Sequence, residues 1–171
     1  MVKPSANGSS VGVTIVRDYA DLSRALTLAS GFSDQVILEE YIKGIEAICG
    51  VIENFRGNRL YALPPVEIRP RVEFFDFNAK YGGESEEICP ATFSNKIKKE
   101  IEDLAIKIHE SFGLRHYSRS DFIIHPKKGI FVLEVNTLPV LTTESLFPKA
   151  LRAVGSDIHH FVEHMIEMVR K

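Results

Sequence analysis

Apolar and polar residues alternate along this chain with two different periods, and the switches between them mark out its elements. Between 95 and 112, Ile97, Ile101, Leu104, Ala105, Ile108 and Phe112 fall on one stripe at helical spacing, and Gly113 closes the predicted helix. An earlier helix opens at Asp18-Tyr19-Ala20-Asp21, sets Leu22, Ala25, Leu26 and Ala29 on one face and stops at Gly31. A short helix is predicted near Ser145 to Val154. A terminal one follows, capped by Ser156, with Ile158, Phe161, Val162, Met165, Ile166 and Val169 as its apolar stripe. Strands are predicted over 36–42, 46–53, 59–63, 117–125 and 129–136, the last two joined by a tight turn at Pro126-Lys127-Lys128. The stretch 64–90 reads as irregular, with Phe74, Phe75, Phe77 and Tyr81 beside a Gly82-Gly83 pair, and long irregular stretches inside compact domains are commonly functional. Helices mixed with mostly antiparallel strands, without an internal repeat or linker, predict an α+β fold.

Composition narrows the partners. The 171 residues are 44% apolar and 26% charged, close to globular averages, which excludes disordered and repetitive classes. Lysine and arginine number 21 against 23 acids, so bulk charge gives no reason to expect nucleic acid or an anionic membrane as partner. Any bound anion has to be held locally. Two cysteines without metal-type spacing point to a reducing compartment. The N-terminus lacks an apolar signal region and no apolar run approaches membrane length, so the expectation is a cytoplasmic protein.

Two constellations carry candidate chemistry. The first is Lys3-Pro4-Ser5-Ala6-Asn7-Gly8-Ser9-Ser10-Val11-Gly12, a Gly/Ser-rich loop whose backbone N–H groups could converge on phosphate oxygens while Lys3 supplies a point charge. It is not a Walker A loop, because no Gly-Lys-Ser/Thr follows. The second is geometric. Arg119 and Asp121 share one face of their strand, and Glu134 and Asn136 share one face of theirs. With Lys127 and Lys128 at the hairpin's centre, Asp121 lies opposite Glu134 and Arg119 opposite Asn136, while Phe122, Ile124, Phe131, Leu133 and Val135 form the core face. Facing carboxylates destabilise a ladder. Two of them beside an amide oxygen make sense as hard ligands for Mg²⁺. His160-Phe161-Val162-Glu163-His164 matches an inverted zinc-protease pattern, yet too few residues follow to complete such a site. It is read as a solvated helix face, and His109, His116, His125 and His159 as surface or structural histidines.

The chain resembles the ATP-grasp enzymes, and among them the D-alanine–D-alanine ligases. The resemblance rests on VKPSANGSSVGV at 2–13, LEEYIKGIE at 38–46, FNAKYGGESEEICPA at 77–91, RSDFII at 119–124 and LEVNTLPVLTTESLFPKA at 133–150, which occur in the family's order. It implies ATP and Mg²⁺ (or Mn²⁺) as cofactors and D-alanine as substrate. By resemblance Lys3 contacts ATP phosphate, and Gly8, Ser9 and Ser10 form a mobile phosphate-covering loop, with Ser9 also in a network at the first substrate. Glu39, Glu40, Tyr41 and Ile42 resemble the strand that meets adenine, and Glu46 the ribose-binding acid. Lys80 and Tyr81 resemble the ω-loop pair, reaching the γ-phosphate and Ser9 respectively. Asp121, Glu134 and Asn136 match the metal ligands, Arg119 the arginine that stabilises oxyanion charge, and Ser145 and Leu146 positions that bind the second D-alanine's carboxylate.

Two departures qualify the match. Val140 stands where the family has a glycine whose backbone N–H serves the oxyanion hole. The family's N-terminal domain has no counterpart here, so the expectation is a C-terminal fragment: residues 1–34 as a remainder of the central subdomain with the phosphate loop, and 35–171 as the C-terminal subdomain. The implied function is ATP-dependent joining of two D-alanines through an acylphosphate, for peptidoglycan precursors. The alternatives are a different acceptor, and a nucleotide-binding lobe without turnover. Apolar surface left by the absent lobe points to self-association into a homo-oligomer.

Overall fold

The computed structural model describes residues 1–70 and 85–170. The chain divides into two compact units, Met1–Lys43 with Pro70–Glu86, and Gly44–Arg69 with Glu87–Lys171.

In the first unit, β1 (Val2–Pro4) pairs antiparallel with β2 (Val36–Leu38), setting Lys3 opposite Ile37. A 3-10 turn at Tyr19–Asp21 leads into α1 (Leu22–Ser30), and the Asp18 carboxylate accepts from the Ala20 N–H at 3.0 Å. Ala25 and Ala29 pack with Val2 into a small core, bordered by Leu22, Leu26 and Val36. Gly31 ends the helix at φ −69°, its N–H returning to Thr27 and Leu28, so its freedom to turn left-handed is not used. The strand predicted over 36–42 stops at Leu38. β1 offers only three residues to pair with, and Glu39 closes the ladder by donating its N–H to Met1 O at 3.0 Å.

The second unit is built on β3 (Ile45–Phe55), which pairs antiparallel with β4 (Asn58–Ala62), β5 (Val66–Pro70) and β7 (Tyr117–His125). With β6 (Ser85–Ile88) and β8 (Gly129–Asn136) the sheet runs β6-β5-β3-β7-β8. The stretch read as irregular therefore carries strands at both of its ends. Glu67 hid the first. It pairs with Ala47 on the apolar side of the sheet, fully buried, with the Arg69 Nε and the Thr92 N–H and hydroxyl donating to its carboxylate at 2.6–2.9 Å. Burial raises the Glu67 pKa, and those donors more than offset it, leaving the group below the usual carboxylate range.

Each sheet face has its own cover. On one, Ala47, Cys49, Val51, Phe122 and Ile124 pack against Ile101 and Ala105 of α2 (Asn95–Ser111). Ser94 caps that helix, and the Gly113 backbone at φ +59° turns the chain away after it. Phe112 is 68% exposed, because the chain has left the helix at that residue and the stripe ends at His109. On the other face Ile48, Gly50 and Ile52 are buried, with Phe147 of α3 (Leu146–Ala153) over Gly50 and Phe161 of α4 (Ile158–Val169) against Phe147. Tyr117, Phe147 and Phe161 form a ring cluster there, with centroids 5.0–5.8 Å apart. A side chain at Gly50 would meet the Phe147 ring at 2.7 Å.

Asp157, not Ser156, caps α4. Its carboxylate accepts from the His160 N–H at 2.9 Å, which the longer reach of Asp in an extended conformation allows. The terminal stripe is also narrower than its periodicity suggests. Only Phe161 is buried, while Val162, Ile166 and Val169 are exposed, because the sheet meets that helix along the Phe161 row alone.

Candidate functional site

Within the second unit, the β7–β8 hairpin brings the charged residues together. Arg119 pairs with Asn136 and Asp121 with Glu134, the register the alternation predicts. The route to it differs. His125 pairs with Gly129 across a three-residue loop, where the His125 ring accepts from the Lys127 and Lys128 N–H groups at 3.0 and 2.9 Å, so the turn is centred on Lys127. A β-bulge between Asp121 and Phe122 then leaves Leu133 without a ladder partner and restores the pairing. Ile130, Val132 and Val135 consequently share the α2 side with Phe122. Phe131, expected on the core face, pairs with Ile123 on the opposite side.

The Arg119 fork donates to both Asp121 oxygens, Nε to Oδ1 at 2.7 Å and Nη2 to Oδ2 at 2.8 Å, with both side chains less than one-fifth exposed. Asn136 Nδ2 donates to Glu134 Oε1 at 3.2 Å. The β3–β7 register adds Glu46, opposite Ile123 and therefore on the same sheet face as Asp121. On that face Phe147 lies over Gly50, the ladder partner of Arg119, and Glu46, Arg119, Asp121, Glu134 and Asn136 share the same side. The donor set of two carboxylates and one amide oxygen suits a hard divalent cation. Beside it the Arg119 guanidinium is fixed by its fork on Asp121.

Ser145 precedes α3, its hydroxyl 2.7 Å from that of Thr142 and its N–H bonded to Thr142 O at 2.8 Å. Leu146 opens the helix half-buried, and Lys149 one turn later is held by Glu87 at 2.6 Å. Val140 is 56% exposed in the loop leading there.

Within the first unit, Lys3 Nζ lies 2.6 Å from Glu39 Oε1, so two residues expected near nucleotide already form an ion pair. Gly8 to Val11 forms a turn closed by the Val11 N–H on Gly8 O at 3.1 Å, with Ser9 at φ 54° and Ser10 at φ 58°. Such left-handed serines are strained, by about 1 kcal/mol or more each, as residues at functional loops commonly are. Gly12 is the glycine this loop requires: its φ is +75°, and a Cβ there would meet Phe32 at 2.6 Å. Glu40, Tyr41 and Ile42 follow β2 outside any strand. Lys80 and Tyr81 lie outside the described residues.

The histidines of the terminal helix have separate partners. His160 pairs with Asp157, His159 with Glu163, and the His164 ring with Glu53 O at 2.8 Å, so His164 turns inward rather than onto the solvated face expected of it. His109 is buried, with Nδ1 2.8 Å from Ser118 Oγ and Nε2 3.7 Å from Glu53. Among the described residues, no helix is long and apolar enough to cross a membrane.

The family model described as "D-ala D-ala ligase C-terminus" matches residues 1–167. A D-alanine–D-alanine ligase of Syntrophobacter fumaroxidans is 39% identical over 98% of this chain and 54% of its own length. Among solved structures, the VanG D-Ala:D-Ser ligase of Enterococcus faecalis matches with TM-score 0.84 and 31% identity, over 97% of this chain and 48% of its own. A D-alanine–D-alanine ligase of Bacillus anthracis complexed with ATP matches with TM-score 0.78 and 28% identity, over 97% and 50%. The chain spans about half the length of the curated relatives it matches.

Proposed function

The chain belongs to the D-alanine–D-alanine ligase family, and on that premise we propose that it supplies the metal, nucleotide and acceptor positions of an ATP-dependent ligase joining two D-alanines for peptidoglycan precursors in the cytoplasm. The observation that carries the reading is the convergence of Glu46, Arg119, Asp121, Glu134 and Asn136 on one sheet face through two strand pairings.

In this reading, ATP phosphorylates the carboxylate of one D-alanine, and the amine of a second displaces phosphate from the acylphosphate. The protein contributes position and charge, as in other phosphoryl transfers. Asp121, Glu134 and Asn136 hold Mg²⁺ or Mn²⁺, whose chemistry is to neutralise phosphate charge. Arg119, fixed by Asp121, faces the developing oxyanion. Lys3 meets phosphate once it leaves Glu39, and the Gly8-Ser9-Ser10 turn covers it. Glu39 to Ile42 and Glu46 meet adenosine. Ser145 and Leu146 hold the acceptor carboxylate, and Lys80 and Tyr81 take the ω-loop roles. Residues 1–34 belong to the central subdomain and 35–171 to the C-terminal one.

A second reading concerns the acceptor. The similarity to a D-Ala:D-Ser ligase supports a different second substrate on the same scaffold. Titration of ATP with Mg²⁺ into this chain, followed by phosphate release with D-alanine or D-serine, tests both. The expected outcome is nucleotide binding that Asp121→Asn weakens by at least about tenfold, the effect typical of a lost partner at a metal site. Binding indifferent to that substitution would remove the metal assignment. Binding without D-alanine-dependent phosphate release would leave a nucleotide-binding lobe.

A further inference from the structure

The bulge at Leu133 has no role in the assignments above. From the turn backwards, His125–Gly129, Ile124–Ile130, Ile123–Phe131 and Phe122–Val132 pair in strict sequence. The same count continued would pair Asp121 with Leu133 and Arg119 with Val135. It would also turn Glu134 and Asn136 to the side where Phe122 meets Ile101 and Ala105. The ladder instead skips Leu133, and both polar residues join the Asp121 face. Leu133 itself is 45% exposed and is not among the residues packed on the α2 side, so the extra residue brings no evident packing. Bulges bend a strand, raise its local twist and re-aim side chains, and they concentrate beside active sites.

We propose that the Leu133 bulge is a positioning device for the nucleotide-bound divalent cation: the backbone of the extra residue, rather than its side chain, sets how Glu134 and Asn136 are aimed relative to Asp121. The assignment rests on the metal and nucleotide reading above.

Deleting Leu133 rejoins the ladder without a bulge and keeps the other pairs, since Glu134 then follows Val132 directly onto Asp121. Leu133→Ala keeps the bulge and removes most of the side chain. Calorimetric titration of ATP with and without Mg²⁺, beside thermal unfolding, compares the parent with both variants. The deletion is expected to unfold within about 5 °C of the parent and to bind metal-free ATP equally. It should lose at least about tenfold of the affinity that Mg²⁺ adds, within the range for misplaced ligand supports. Leu133→Ala is expected to keep most of that gain. A folded deletion with the full Mg²⁺ gain overturns the proposal, as does Leu133→Ala losing as much as the deletion. A deletion that does not fold also overturns it, because the extra residue then serves the fold. A parent chain that binds no Mg²⁺·ATP defeats the functional reading, an outcome visible before any variant is compared.

Discussion

Gly50→Ala tests whether the cover of the site face is as tight as its geometry implies. Gly50 sits in the middle of β3, paired with Arg119, and a methyl group there would lie 2.7 and 2.9 Å from two carbons of the Phe147 ring and 2.9 Å from Leu63 Cδ1. Phe147 and Leu63 are both fully buried, so neither can swing into solvent. Adding one carbon to such a core costs roughly 1–3 kcal/mol. Replacing a strand-interior glycine returns about 0.5–1 kcal/mol of unfolded-state entropy. The difference centres on a net loss of about 1 kcal/mol, which for a chain of this size lowers the midpoint by roughly 2–4 °C. The strain should also travel. Phe147 follows Ser145 and Leu146 at the start of the same helix, so the acceptor positions shift with it. Differential scanning calorimetry of Gly50→Ala, Phe147→Leu and the double variant closes the cycle. The alanine should cost less in the Phe147→Leu background than beside the parent ring, because the ring carbons are the nearest obstacles. A Gly50→Ala chain that melts at or above the parent would refute the reasoning, as would a cost unchanged by Phe147→Leu.

Protonation should tell two buried groups apart. Burial pushes the His109 pKa below its ordinary value against the opposing pull of Glu53, so the folded chain binds fewer protons there than the unfolded one. Stability tied to His109 is therefore complete above the unfolded value of about 6.5 and falls as pH drops through it; urea midpoints from pH 7.5 to 5 should decline less steeply in His109→Gln. Glu67 behaves oppositely in origin, since its pKa is lowered by its donors. Its contribution is present above the unfolded carboxylate value and is lost as pH falls through the lower folded one. Glu67→Gln should cost about 1–3 kcal/mol at neutral pH and flatten the acid limb of the same titration. Asp157→Ala should lower the unfolding temperature measurably while Ser156→Ala leaves it unchanged, because only the aspartate accepts from the α4 backbone.

Much of the fold was legible because its strongest signals are local. The stripes of α1 and α2 and the alternation in β7 and β8 depend on residues a few positions apart, and those elements lie within a residue or two of their predicted bounds. What failed depended on partners remote in sequence. β5 was invisible because Glu67 breaks the apolar pattern, and its carboxylate is acceptable there only because Thr92 and Arg69 supply donors. The exposed half of the α4 stripe failed for the converse reason. Periodicity records which residues could be buried, while the width of the sheet surface decides how many are.

The site shows the same division within a single hairpin. Arg119 with Asp121, and Glu134 with Asn136, share faces by period two alone, so each half of the site was readable without knowing the other. Joining the halves required a register, and there the count from the turn was wrong by one residue and the bulge at Leu133 made up the difference. The correct pairing thus rested on two deviations that cancel, a turn centred on Lys127 and a bulge at Leu133. Glu46 shows what spacing cannot reach. It joins Asp121 on one face through the pairing of β3 with β7, strands separated by β4, β5, β6 and α2. No local pattern encodes that register. It is fixed by the two-sided burial of β3, where Ala47, Cys49 and Val51 must meet α2 while Ile48 and Ile52 are buried on the other face, and any one-residue slip would exchange the two sets. The chemistry on the polar face is therefore held in place by the apolar demands of the strand beside it.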